Sequence, residues 1–222
     1  MSVVVRPMLS GDLGDADRVF RRAFGTFFGL PEPASFRGDS ELVRTRFATD
    51  PAAAFVAEDE GRIVGSVNAM HWGSLGVLGP LVVDPDAWGR GIARALVPPV
   101  LEVFARRGIR LAALLTHPQS PKHLRLYEAF GFELGSTVAV MAKEAAAPGA
   151  AAADVERLSA LGATAREEAL SGCRALTTSL YDGLDLGREI AALAAQRLGD
   201  VILLGTGGAA RKPGTVAGFA LC

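Results

Sequence analysis

Between Asp84 and Arg94 (DPDAWGRGIAR) an apolar run ends at an Asp-Pro pair, Gly89 and Gly91 follow one residue apart, and a helical pattern begins. This order of parts suits a phosphate cradle. Glycines let the backbone approach a ligand and take dihedrals that a Cβ forbids, and the first turn of a helix offers amide N–H groups without intrahelical partners. Arg90 and Arg94 add guanidinium donors that suit a diphosphate. Two better-known cradles do not fit. A dinucleotide fingerprint needs a third glycine where Arg94 stands, near the start of a parallel unit. A P-loop needs Lys followed by Ser or Thr, and the only approximation (GTGGAARKPGT) has Pro213 after Lys212 and no strand-to-helix setting. A glycine corner that merely turns the chain fits the same residues, so the turn alone leaves both readings open. The other reactive side chains form no metal pattern: His71, His117, His123, Cys173 and Cys222 lack ligand spacing, and no metal site is expected.

The elements that must position this turn read as follows. Val3 to Pro7 is a β-branched strand, and the next segment places Val19, Phe20, Ala23, Phe24 and Phe27 on one helical face. A loop over Pro31 to Asp39 precedes a short helix over Ser40 to Ala48. The period then changes to two, with strands on either side of Asp59-Glu60-Gly61, a tight hairpin turn. SLGVLGPLVV is an apolar strand expected to be buried on both faces. The helix after the turn should run to about Arg107 with a kink or break at Pro98-Pro99. GIRLAALLT reads as another buried strand, PKHLRLYEAFGF as a short helix capped near Gly131, and ELGSTVAVMAKE as a last strand. The order predicts an α/β (α+β) fold: a mixed, mostly antiparallel sheet flanked by helices.

With these elements in place, the chain resembles the GNAT-superfamily N-acetyltransferases. LVVDPDAWGRGIARAL carries the family's strand, turn and helix as Trp88-x-x-Gly91-x-Ala93, and LYEAFGF carries its second element. VRP…D near the start and the hairpin EDEGRIVGSV also stand where the family has them, and the resemblance spans roughly Val3 to Lys143. It implies acetyl-CoA as co-substrate in an ordered ternary complex, with the pyrophosphate held by Trp88, Gly89, Arg90, Gly91, Ile92 and Ala93. It further implies a strand, here Leu81, Val82 and Val83, that splays from its neighbour and offers amides to the thioester and pantetheine; Gly79-Pro80 would help break that ladder. It makes Tyr127 the general acid for the departing thiolate, and Ser120 and His117 candidates for contacts to CoA. The family's Arg or Gln at the start of the turn is Trp88 here. An indole cannot accept a hydrogen bond, and the residue reads as an anchor for the turn rather than a cover for pantetheine or adenine. The strand position that often carries Glu is apolar, which leaves His71, Glu41, Glu32 or a water chain as the base. The acceptor is a small-molecule or peptide amine. The alternative is an acyl-CoA-binding sensor or pseudoenzyme without turnover, supported by the missing strand Glu and by Trp88.

Of the 222 residues 50% are apolar and the net charge is −1, so a sizeable core forms and no polybasic surface invites nucleic acid or an anionic membrane. The start is broken by Arg6-Pro7 and reads as no signal peptide, and a cytoplasmic protein is expected. Residues 1–144 make the acetyltransferase domain and the Ala-rich 145–153 a linker. Residues 154–222 make a partial second unit, helical and then a β-hairpin, without the CoA motif. GRIVGSVNAM and GTVAGFALC share Gly, an apolar third residue and Gly at the fifth, which suggests a tandem repeat, either cut short or reduced to a supporting module. DVERLSALG reads as helical here. An open edge on the second strand pair would be covered within the chain or by a homodimer.

Overall fold

The computed structural model describes residues 3–136, 155–196, 201–204 and 218–221. The chain divides into two compact units, Met1–Leu134 and Gly135–Cys222.

In the first unit β1 (Val4–Pro7), β2 (Ala54–Asp59), β3 (Arg62–Trp72), β4 (Leu75–Val83) and β5 (Leu111–Ala113) form one sheet in that order. All pairings are antiparallel except β4 with β5. Period-two alternation divides the core between the two faces. Ala54, Val56, Ile63 and Val82 pack with Val19, Phe20 and Ala23 of α1 (Leu13–Phe27) and Val43 of α2 (Leu42–Thr49). Phe55, Ala57, Val67 and Ala69 pack on the other face against Ile92, Leu96, Val100 and Phe104 of α3 (Ile92–Arg106). Arg6 ties β1 to the start of α1: it reaches both Asp12 carboxylate oxygens at 2.7 and 3.0 Å, and its Nε donates to Glu58 at 2.8 Å. Asp12 also accepts from the Leu9 amide at 2.8 Å, and the Arg6 contacts hold its carboxyl below the usual range. Asp50 is buried and paired bidentately with Arg107 at the end of α3.

Three expectations for the first unit need correction. α3 continues through Pro98-Pro99 as one helix without a break. The two prolines remove amide donors, but Leu96, Val97, Val100 and Val103 around them are each 0–2% exposed, and that packing holds the helical path. β5 is only three residues long, because β4 pairs with it only at Leu75–Val77 and then leaves; Leu111 is exposed rather than buried. β4 itself is only partly covered, with Leu75, Val77 and Leu81 half-buried. The expected strand after Gly135 falls mostly outside the described residues, as does the 145–153 linker. The short helix α4 (Pro121–Glu128) is followed by Gly131 at φ +81°, the left-handed position expected for it.

The second unit contains β6 (Val155–Arg157), α5 (Ala163–Leu180), α6 (Gly187–Gln196), β7 (Val201–Leu204) and β8 (Gly218–Leu221). Its antiparallel sheet has the order β6-β7-β8. Val155–Arg157 is a strand, not helix: pairing with Ile202–Leu204 decides its state, which local sequence did not show. Leu158, Ala169, Cys173 and Ile190 form a small core, where burial raises the Cys173 thiol to about 11 and keeps it protonated.

Candidate active site

The site grows from an irregularity in β4. Val67 pairs with Leu81 and Ala69 with Leu78, so Gly79 and Pro80 together face the single residue Asn68. Such a bulge bends its strand and ends regular pairing. Beyond Val77, the edge of β4 toward β5 has no strand partner among the described residues. A cleft of about 450 Å³ opens along this edge, with Leu78 to Val83 as one wall. Leu81, Val82 and Val83 therefore run along the cleft, where the backbone groups turned away from β3 and not otherwise bonded can meet a ligand.

At the end of β4 the chain turns under tight control. Asp84, 4% exposed, accepts from the Asp86 amide at 3.1 Å and from Arg22 of α1 at 2.7 and 3.0 Å. The Asp84 amide donates to Val64 at 2.8 Å. Gly89 and Gly91 take φ of +81° and +77°, a region that costs any residue with a Cβ, and Gly91 is the N-cap of α3. The first amides of α3, with Gly89, Gly91, Ile92 and Ala93 on the cleft surface, stand at the positive end of a 15-residue helix, an arrangement that suits an anion. Trp88 lines the cleft as well, and its Nε1–H donates to the Val83 carbonyl at 2.7 Å. The indole thus anchors the turn, as expected. Arg90 is placed differently. Its guanidinium pairs with Asp59 on the β2–β3 hairpin at 2.7 Å and does not line the cleft, whereas Arg94 does, stacked over Phe130 at 5.3 Å.

The opposite wall comes from α4, the segment before it and the end of α1. Ser120, the N-cap of α4, lines the cleft without making a side-chain cap bond. Tyr127 lines it too and packs against the α3-side core and against Phe132. Burial pushes its phenol up to about 12, so it stays protonated across the physiological range. Lys122 also lines the cleft, its ammonium 5.8 Å from the Trp88 ring centre, and so brings a second cation near the turn. Phe27 meets two imidazoles, His117 at 4.9 Å and His123 at 5.2 Å between ring centroids.

The base candidates of the sequence do not come to this place. His71 lies opposite Gly76, away from the cleft lining; Glu41 is exposed and paired with Arg44; Glu32 is exposed. The sequence reading missed Lys122, His123 and the Arg22–Asp84 clasp. Helical spacing from Tyr127 was a usable signal for His123, which stands one turn earlier. Among the described residues no group of three or more His, Cys, Asp or Glu could hold a metal, and no helix is long and apolar enough to cross a membrane.

The donor set fits the diphosphate and pantetheine of coenzyme A: helix-terminal amides and two cations at the turn, a free strand edge along the cleft, and a neutral hydroxyl donor beyond. Comparison with known proteins agrees. Residues 19–132 match the family described as Acetyltransferase (GNAT) family. A mycothiol acetyltransferase of Geodermatophilus obscurus is 34% identical over 144 residues, 59% of this chain and 44% of that protein. Acetyltransferase SG1711 of Sodalis glossinidius is 32% identical over 106 residues, 47% of this chain and 75% of that one. The chain spans less than half the length of the mycothiol acetyltransferases it matches. Among solved structures, the PaiA N-acetyltransferase of Thermoplasma acidophilum in complex with coenzyme A shares the fold, with a TM-score of 0.53 at 18% identity over 62% of this chain and 94% of that one. Clustered on one cleft and matched over half the sequence, these features show that the chain belongs to the GNAT acetyltransferase family, whose members use acetyl-CoA.

Proposed function

We propose that this chain moves the acetyl group of acetyl-CoA to a primary amine of a small-molecule or peptide acceptor. The observation that carries the reading is that Gly89 and Gly91 of the turn, the edge of β4 that leaves β5, and Tyr127 all line one cleft. In this reading the amides opening α3, with Arg94 and Lys122, neutralise the pyrophosphate. Leu81, Val82 and Val83 orient pantetheine and polarise the thioester carbonyl through backbone donors. Tyr127 donates to the departing sulfur. Ser120 contacts the CoA chain near its own end of the cleft. The relatives named mycothiol acetyltransferase place the amine that becomes mycothiol among the acceptors to test.

The domain assignment belongs to the same reading: residues 1–144 as the acetyltransferase, 145–153 as a linker and 154–222 as a partial repeat. The second unit's order of strand, two helices and two antiparallel strands, paired in sequence, supports the repeat, because β1 to β3 with α1 and α2 follow the same order.

The test is release of CoA thiol from acetyl-CoA with a panel of 2-phenylethylamine, alanine amide, glucosamine, the mycothiol amine precursor and spermidine. Calorimetric titration with CoA runs beside it. Acetylation of one or more of these amines, lost in Tyr127→Phe, is expected. CoA binding with no turnover on any of them would turn the reading into that of a sensor, and absence of CoA binding would overturn both.

A further inference from the structure

A primary alkyl amine reaches the cleft as an ammonium at neutral pH, with a pKa of about 10 like that of lysine. An ammonium has no lone pair with which to attack, so a group at the cleft must take its proton. Helix α4 supplies one. His123 lines the same cleft as Tyr127 and precedes it by one helical turn, so both side chains fall on one face of α4. Its ring lies 5.2 Å from that of Phe27, which puts it at the seam between α4 and α1. The titratable and charged groups around it in the cleft are Lys122 and Tyr127 from α4, His117 from the segment before α4, and Arg94 from α3. From α1 the cleft is lined by Ala23, Phe24 and Phe27, of which Phe27 meets the His123 ring, and from β4 only by apolar residues. Burial, followed by the nearby His117 and Lys122, holds its pKa below the ordinary 6.5, so its imidazole is neutral at pH 7 and has a lone pair to offer.

We propose that His123 is the catalytic base that takes the ammonium proton of the acceptor; this rests on the reading of acetyl transfer to an amine. The freed nitrogen lone pair forms the C–N bond to the thioester carbonyl. The tetrahedral adduct collapses with breakage of the C–S bond, and the leaving sulfur takes the Tyr127 proton. Tyr127 regains a proton from the nitrogen of the new amide. His123 releases the proton it took to solvent, so each turnover yields one amide, one CoA thiol and one proton.

The experiment uses whichever panel amine the wild-type chain acetylates fastest, with kcat/KM followed from pH 5.5 to 9.5. In wild type, kcat/KM per total amine rises through the pKa of His123, below 6.5, and then levels off. In His123→Gln it is about 10²-fold lower at pH 7 for an amine with a pKa of about 10, less for a weaker base such as alanine amide, and climbs about tenfold per pH unit up to the pKa of the amine used, while CoA affinity stays unchanged. An acceptor already neutral at the assay pH, 2,2,2-trifluoroethylamine, loses far less in the variant. A wild-type profile that itself climbs with the free-amine fraction refutes the proposal without any variant. So does a variant that keeps the wild-type rate and plateau. CoA binding with no acetylation of any panel amine by wild type removes the underlying reading, and with it this role.

Discussion

Replacing Tyr127 by Phe deletes one oxygen and leaves the ring, which packs against the α3-side core and lies 6.1 Å from Phe132, edge to face. Folding should therefore change little, and what is lost is the proton donor. As the proposed donor it is unusually weak. Burial raises the phenol to about 12, and an ordinary thiol has a pKa of about 8.5, so a full transfer to a free thiolate would be uphill by about 5 kcal/mol. The cleft narrows that gap, because the desolvation that disfavours a phenolate disfavours a thiolate beside it. The hydroxyl then acts mainly while negative charge builds on sulfur, where general-acid help gives about 10²–10⁴ in rate. We expect kcat to fall about 10²–10³-fold, or roughly 3–4 kcal/mol, with CoA affinity within about threefold of wild type. Thiol release and calorimetric titration measure the two. A variant within about twofold of wild-type kcat would reduce Tyr127 to a packing residue. The pH direction is also fixed: activity that needs the protonated phenol persists until pH approaches 12, so a loss attributable to Tyr127 near pH 10 would contradict its burial.

Arg94→Ala should weaken CoA about tenfold or more, whereas Arg90→Ala should leave affinity nearly unchanged, because Arg94 lines the cleft and Arg90 is committed to Asp59; calorimetry orders the two. Gly91→Ala should destabilise the fold by about 1–2 kcal/mol in urea unfolding, and the cost is backbone strain, since a Cβ there meets nothing within 4 Å while φ is +77°. Trp88→Phe removes the 2.7 Å bond to the Val83 carbonyl and should cost about 1 kcal/mol of stability together with CoA affinity; unchanged values in both would deny the indole its anchoring role. Ser66→Ala should be neutral or stabilising by about 1 kcal/mol, because the buried Ser66 hydroxyl has no hydrogen-bond partner among the described residues; a clear loss of stability would count against that burial.

Where a feature depends on neighbours in sequence, it was legible. The apolar face of α1, the hairpin at Glu60-Gly61 and the left-handed glycines of the turn all follow from local spacing and backbone permissiveness. Where it depends on partners far along the chain, it was not. Arg90 looks like a phosphate ligand until Asp59, 31 residues earlier, takes its guanidinium. Asp84 looks like a strand terminator until Arg22, 62 residues earlier, clasps it. GIRLAALLT is apolar enough for a long strand, yet β5 lasts only as long as β4 stays beside it. Pro98-Pro99 argue for a broken helix, and core packing on both sides overrides them. The likeness to the acetyltransferase family was carried by short motifs that survive such rearrangement, whereas the base was sought at His71, Glu41, Glu32 or a water chain, and none of those three side chains lines the cleft that His123 of α4 lines.

Trp88 departs from the family's Arg or Gln and still ties the turn to β4. The family's Arg or Gln at this position has N–H groups to donate; Gln can also accept, and an indole cannot. In the structure the Asp84 amide is already bound to Val64, and the Val83 carbonyl ends β4 just where the chain leaves the sheet. That carbonyl needs a donor if the turn is to stay folded beneath a ligand, and the Trp88 N–H provides it. Donation toward the strand is what the Trp88 side chain supplies here. The indole adds an aromatic face that meets Lys122, tying the turn to the start of α4. Where Trp88 departs from the family's Arg or Gln, its side chain still holds the backbone of the turn in place, which is what the proposed cradle of backbone amides requires of it.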